Sequence, residues 1–103
     1  QMTAYVDGHY QEESLTLQFL ADHVIYMNAD YIGREFSRVM GKKFSAYLLE
    51  TRMERAKLLM TTDAGLHSYE VAEQVGYRDI TYFSATFKKM TGMSPSEFQD
   101  TCR

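Results

Sequence analysis

The chain has 103 residues, of which 45% are hydrophobic and 24% are charged, and this composition is typical of one small globular domain or of two very small ones that share a core. No run of eighteen consecutive apolar residues and no basic-then-apolar N-terminal segment occurs, so we expect no membrane-spanning helix, no signal peptide and a cytoplasmic location. The single cysteine, Cys102, cannot form an internal disulfide.

Charge is distributed unevenly along the chain. The net charge is −3, yet residues 1–33 contain five acidic residues and no Lys or Arg, whereas 34–57 contain seven basic residues against three acidic ones. Because a ligand responds to the local field, a basic stripe in the middle of the chain is compatible with a polyanionic partner despite the negative total.

Three helices are predicted in the first part of the chain. A weakly patterned helix covers about Thr3 to Glu12. A short apolar helix, LQFLADHV, follows Thr16, whose side chain can cap it. A longer amphipathic helix then extends from the capping residue Asn28 to Gly41, because glycine suits the left-handed end of a helix.

The middle of the chain predicts one long helix. Apolar residues recur at helical spacing from Phe44 to Met60, and we expect a linking helix over about 44–61, roughly 27 Å long at 1.5 Å per residue. The clearest linker is TDAGLHS at 62–68.

The last part of the chain follows the plan of the first. The helix SYEVAEQV is expected to be capped by Ser68, and a longer helix lies between the cap Asp79 and Gly92. A final helix begins with SPSE at 94–97, where Ser is the N-cap, Pro suits the first turn and Glu occupies the capping-box position. The prediction is therefore all-α, with about seven helices.

This common plan reflects an internal repeat. Residues 17–47 align with 68–98 without a gap, and seven positions are identical, where chance would give roughly two. The identical pairs are Ala21/Ala72, Val24/Val75, Tyr26/Tyr77, Tyr31/Tyr82, Phe36/Phe87, Gly41/Gly92 and Ser45/Ser96.

Each copy combines a short helix, a tight turn and a longer amphipathic helix, which together make a helix-turn-helix unit whose second helix can enter the major groove of DNA. Gly76 supplies the turn in the second copy, but Ile25 takes its place in the first, so the first turn must be built differently. The core-facing residues of the long helices are predicted to be Ile32, Phe36 and Val39, and Phe83, Phe87 and Met90.

Two stretches resemble the DNA-binding domain of AraC/XylS-type bacterial transcription regulators. They are LADHVIYMNADYIGREFSRVMGKKFSAYLLETRMERAKLLM and VAEQVGYRDITYFSATFKKMTGMSPSEF, and the resemblance extends from about Leu15 to Phe98. It implies that residues 1–103 form one DNA-binding domain, with helix-turn-helix units at about 15–43 and 67–102 joined by the linking helix. It also implies promoter binding, usually with activation, RNA polymerase as a partner, and a sensor, dimerisation or receiver domain elsewhere in a longer protein.

The resemblance also implies roles for individual residues. Arg34 is the strongest candidate for a bidentate contact to guanine, Asp30 could accept a hydrogen bond from cytosine, and Ala85 either touches a thymine methyl group or contributes nothing. The full base-contact set is Asp30, Gly33, Arg34, Arg38, Thr81, Tyr82, Ala85 and Lys89. Phosphate contacts are expected at Lys42, Lys43, Arg78 and Lys88 and at the helix starts marked by Asn28, Asp79 and Ser94.

Some readings stay open at this point. Tyr31 and Tyr82 suit core support as well as DNA contact, and Arg52 is expected to pair with a nearby acid such as Glu50 or Glu54. The alternatives to DNA binding are an all-α protein-interaction module whose basic helix faces bind an acidic partner, and a small helical ligand-binding domain. We expect no enzyme activity, cofactor or metal site, because His9, His23 and His67 are far apart and no catalytic motif occurs.

Overall fold

The computed structural model describes residues 2–63 and 65–102, so Ala64 in the predicted linker lies outside the described residues. In chain order the helices are α1 (Met2–His9), α2 (Leu17–Leu20, continued by a π-helical turn over Ala21–Ile25), α3 (Ala29–Met40), α4 (Phe44–Thr62), α5 (Ser68–Gln74), α6 (Ile80–Thr91) and α7 (Pro95–Thr101). The described residues contain no strand, and the all-α prediction is confirmed. Within 2–63 and 65–102, none of the helices has both the length and the apolar character needed to cross a bilayer.

The chain divides into two compact units, and the boundary between them lies inside α4, between Thr51 and Arg52. Each unit has its own set of buried apolar residues, as expected for a duplicated scaffold. The core of the first unit consists of Val6, Leu15, Leu20, Ala21, Ile32, Phe36, Phe44 and Leu48. The buried apolar residues of the second unit are Met53, Ala56, Met60, Val71, Ala72, Val75, Phe83 and Phe87.

α3 and α6 begin and end in the same way, because side chains cap their first turns and glycines end them. Asn28 Oδ1 accepts a hydrogen bond from the Tyr31 N–H at 3.1 Å, and the Asp79 carboxylate accepts from two N–H groups at the start of α6. Gly41 and Gly92 have φ values of 76° and 85°, which suit glycine. The predicted caps and C-terminal glycines of both helices are confirmed.

Two predictions at other helix ends are wrong. His67, not Ser68, is the N-cap of α5: its own N–H donates to Glu70 Oε1 at 2.8 Å, so the acid in the first turn fixes the helix start one residue earlier. α1 ends at His9 instead of Glu12, because the chain turns there and the Glu12 N–H donates to the His9 carbonyl at 3.0 Å.

The apolar stripe of each long helix is shorter than its periodicity suggested. Val39 is 67% exposed and Met90 is 43% exposed, so the prediction that they face the core is wrong. Both lie in the last turn of their helices, beyond Phe36 and Phe87, where the periodic pattern continues past the end of the buried surface.

The turn of the first unit is built differently from that of the second, as predicted. In the second unit the Tyr77 N–H donates to the Ala72 carbonyl at 2.9 Å, and Gly76 supplies the positive φ of 102°. In the first unit the corresponding bond runs from Tyr26 to Ala21, and Tyr26 itself has a φ of 60°. A π-helical turn and a left-handed tyrosine, strained by about 1–2 kcal/mol, therefore replace the glycine.

Replacing Gly76 with alanine should destabilise the second unit, because an L-residue is strained at a φ of 102°. We expect the free energy of unfolding measured in urea to fall by about 1–2 kcal/mol. Gly8→Ala is the matched control, since Gly8 lies in a helix with open space around its Cβ position, and it should be neutral or stabilising by up to about 1 kcal/mol. Equal stability of Gly76→Ala and the wild type would contradict the role assigned to this turn.

Candidate nucleic-acid interface

Three charged residues share the outward face of α3. Asp30, Arg34 and Arg38 are exposed, while Ile32 and Phe36 are buried on the opposite side. At 3.6 residues per turn the three charged residues fall within an arc of about 80°. Burial of the two apolar residues therefore fixes the rotation of α3 and turns a ridge of polar side chains to solvent.

Gly33 lies to one side of this ridge and packs within the first unit. A Cβ atom added to Gly33 would lie 2.9 Å from Leu17 Cδ2, and the residue is partly buried. The sequence placed Gly33 among the base-facing residues, but its Cβ direction points toward α2. The glycine thus allows α3 to approach α2 closely.

The outward face of α6 is basic and carries no acidic residue. Thr81, Tyr82, Ala85 and Lys89 are exposed together on this face, and Lys88 is exposed beside them. Ala85 offers only a methyl group, so the middle of this face has no polar side chain. Tyr31 and Tyr82 are 45% and 58% exposed, which places both rings at the surface.

The charged groups of the first unit are partly neutralised by internal ion pairs. Arg38 Nη2 lies 2.7 Å from Glu35 Oε1, and Lys42 Nζ lies 2.6 Å from Glu50 Oε1. The hydrogen bond from Arg38 lowers the pKa of Glu35, and Glu35 in turn raises the pKa of Arg38. Arg38 and Lys42 must therefore leave a carboxylate before they can contact another anion with their full charge.

Four other cations have no such partner. Within residues 2–63 and 65–102, the charged groups of Arg34, Lys43, Lys88 and Lys89 make no hydrogen bond or ion pair with another side chain, and all four residues are exposed, as is Arg78. The same part of the chain holds no group of three His, Cys, Asp or Glu side chains that could hold a metal ion. The exposed cations are suited to binding anions through hydrogen bonds and charge.

The helix starts predicted to bind phosphate are already occupied by side chains of the protein. Asp79 Oδ1 accepts from the N–H groups of Thr81 and Tyr82 at 2.9 and 3.1 Å, and Ser94 Oγ accepts from the Glu97 N–H at 3.2 Å. Asn28 caps α3 in the same way. A phosphate at these ends would have to bond the remaining N–H groups of the first turn or displace a cap.

Arg52 has a role that the sequence did not indicate. It is only 8% exposed, and its guanidinium lies 5.2 Å from the centre of the Tyr77 ring, an arrangement typical of a cation–π contact. The Tyr77 ring in turn lies 5.8 Å from that of Tyr82 on the outward face of α6. Burial raises the pKa of Tyr77, and the charge of Arg52 opposes that rise. No local pattern indicates this contact, because Arg52 and Tyr77 are far apart in the sequence.

Comparison with known proteins gives consistent matches over most of the chain. A family model described as "Helix-turn-helix domain" matches residues 23–101. The transcriptional regulatory protein YesN of Bacillus subtilis (strain 168) is 40% identical over 87 residues, which are 84% of this chain and 24% of that protein. The arabinose operon regulatory protein of Escherichia coli (strain K12) is 32% identical over 98 residues, 95% of this chain and 33% of that protein.

A solved structure agrees with these matches. The C-terminal domain of the two-component response regulator yesN from Fusobacterium nucleatum superposes with a TM-score of 0.90 at 35% identity, covering 95% of this chain and 93% of that one. The chain spans about a quarter to a third of the length of the two curated relatives described above.

The caps can be tested separately from any ligand. Asp79→Ala should lower the free energy of unfolding by about 1 kcal/mol, because the N–H groups of Thr81 and Tyr82 lose their acceptor. Asp79→Asn is the matched control: asparagine caps equally well, so its stability should stay within about 0.5 kcal/mol of the wild type. If both variants lose the same stability in urea unfolding, the charge of Asp79 and not its cap is what matters.

Proposed function

The chain belongs to the AraC family of helix-turn-helix transcription regulators, and from this premise we propose that α3 and α6 enter adjacent major grooves of one promoter duplex. The proposed organisation is one DNA-binding domain over 1–103, with helix-turn-helix units at about 15–43 and 67–102 and a linking helix at about 44–61. Binding of this kind would regulate bacterial transcription, by activation in most regulators of this type.

The observation that carries the proposal is the shared construction of α3 and α6. Each has 12 residues, a side-chain cap at its start and a left-handed glycine at its end. Each buries two apolar residues four positions apart and exposes a polar face with basic residues. An exposed, rigid helix of this kind suits the major groove, which admits an α-helix.

We assign roles according to reach and charge. Arg34 is exposed and unpaired within the described residues, so it is available for a bidentate contact to guanine N7 and O6. Gly33 is omitted because its Cβ direction points toward Leu17. The proposed base-contact set is Asp30, Arg34, Arg38, Thr81, Tyr82, Ala85 and Lys89, and the proposed phosphate-contact set is Lys42, Lys43, Arg78 and Lys88 with the first-turn N–H groups after Asn28, Asp79 and Ser94.

The proposed spacing is that of successive major grooves on one side of B-DNA, roughly 34 Å apart. The linking helix α4 has 19 residues, about 28 Å at 1.5 Å per residue. A duplex too straight to satisfy both units would have to bend, at a cost of a few kcal/mol.

The partners of the whole regulator form a further part of the proposal. Because this chain corresponds to about a quarter of YesN and a third of the arabinose regulator, we propose that a sensor, dimerisation or receiver domain lies elsewhere in the longer protein. RNA polymerase is the proposed partner in activation, reached from the promoter that this domain binds.

Selection of bound sequences from a random DNA pool tests the function directly. We expect enriched sequences with two short conserved elements about ten base pairs apart. A protein that enriches no sequence and gives no gel shift with any duplex, but binds an acidic protein, would instead fit the alternative of an interaction module.

Arg34 should determine one base position of the selected site. Arg34→Ala should cost about 1–3 kcal/mol of binding free energy and relax the preference at that position. Arg34→Lys is the matched control, because lysine keeps the charge but loses the planar bidentate geometry. It should lose base preference while keeping the salt dependence of the wild type.

If Arg34→Ala retains both affinity and base preference in a competition gel shift, Arg34 does not read the first half-site. If Arg34→Lys keeps the base preference that Arg34→Ala loses, the position is read by the charge of the side chain, and the bidentate geometry assigned to Arg34 is wrong.

Binding should depend steeply on salt. If about six phosphates are neutralised, log affinity should fall with log salt with a slope of roughly −5. Lys88→Ala should reduce the magnitude of this slope by about 0.9 and weaken binding equally on all sequences. Lys57→Ala, on α4 and already paired with Glu54 at 3.0 Å, is the control and should leave the slope unchanged. Equal slopes for the wild type and Lys88→Ala would remove Lys88 from the phosphate-contact set.

A further inference from the structure

Glu35 is the acidic residue of α3 that directly engages a basic residue of its outward face. Its Oε1 accepts two hydrogen bonds from Arg38, from Nη2 at 2.7 Å and from Nε at 3.3 Å. The Arg38 side chain is 70% exposed and that of Glu35 is 41% exposed. The pair therefore forms at the surface, on the helix proposed to enter the groove.

The position of Glu35 around the helix determines where it holds Arg38. At about 100° per residue, Glu35 lies some 100° around α3 from Arg34, on the flank between the outward face and the core. Around the helix, Arg38 lies between Arg34 and Glu35, and its hydrogen bonds to Glu35 hold its side chain toward the flank. One edge of its guanidinium, Nε and Nη2, is thus engaged by the protein's own carboxylate.

A carboxylate and a phosphate compete for the same donors, because each is an anion with two oxygens that can accept bidentate bonds from arginine. The hydrogen bond from Arg38 also lowers the pKa of Glu35, so the carboxylate is ionised at neutral pH. No acidic residue accompanies Lys88 and Lys89 on α6, so the corresponding competition is absent from that helix.

We propose that Glu35 is a positioning residue that holds Arg38, a base contact at the specific site, away from the phosphates of a non-specific duplex, and so lowers the sequence-independent part of DNA binding by the first unit. This inference rests on the proposed function, since it concerns how tightly the same face binds DNA. If Glu35 holds Arg38 in this way, Arg34 is the main positive charge that α3 offers to a non-specific duplex.

The test measures binding to a random-sequence duplex over a range of salt concentrations. Glu35→Gln releases Arg38, and one additional phosphate contact should tighten binding roughly three- to tenfold near 0.1 M salt and steepen the salt slope by about 0.9. A change of less than twofold with an unchanged slope would overturn the proposal.

A double-mutant cycle separates the withholding of Arg38 from simple repulsion between Glu35 and DNA. If Glu35 acts through Arg38, Glu35→Gln should change affinity by less than twofold when Arg38→Gln is already present. An equal gain in both backgrounds would overturn the proposal, because Glu35 would then act only through its own charge.

Glu54→Gln is the matched control. Glu54 and Lys57 form the same i, i+3 ion pair at 3.0 Å on α4, and neither is in the proposed contact set, so affinity should change by less than twofold. A gain as large as that of Glu35→Gln would show that lowering the net negative charge is sufficient and would overturn the inference. A wild-type chain that binds no duplex overturns the proposed function as well, whereas salt-dependent binding that is indifferent to Glu35 overturns this inference alone.

Discussion

The rotation of α3 and α6 about their own axes is the constraint on which the candidate interface depends. Ile32 and Phe36 anchor α3 in the first unit, and Phe83 and Phe87 anchor α6 in the second, each residue 4% exposed or less. Two buried residues one turn apart leave only one orientation that keeps both out of water. The outward residues follow from that orientation, and the caps and terminal glycines determine where each outward face starts and stops.

The two copies of the scaffold reach this arrangement by different means. Gly76 makes the second turn without strain, whereas the first turn requires a π-helical segment and a left-handed Tyr26 that is 76% exposed. The equivalent Tyr77 is half-buried beneath Arg52. In the first unit Arg38 and Lys42 pair with acids, while the lysines of α6 form no ion pair with the described residues. Duplication thus preserved the cores and allowed the turns and the outward charges to diverge.

Periodicity and capping signals predicted most of the fold, because helix geometry and first-turn hydrogen bonds are local properties of the sequence. What local patterns missed depends on tertiary packing. The periodic stripe could not indicate that Val39 and Met90 extend past the buried surface, nor that Gly33 faces Leu17. Of the interface, the outward placement of the charged residues was predictable. The ion pair of Arg38 was not, because spacing alone does not show which partner a long side chain selects.

The central claim is that the outward faces of α3 and α6 occupy two successive major grooves of one duplex. Methylation interference tests it most directly, because methylation of guanine N7 blocks major-groove contacts, whereas methylation of adenine N3 reports on the minor groove. On a selected binding site, the account predicts two clusters of guanine N7 interference about ten base pairs apart on one side of the DNA. A single cluster, or interference confined to adenine N3, would contradict it.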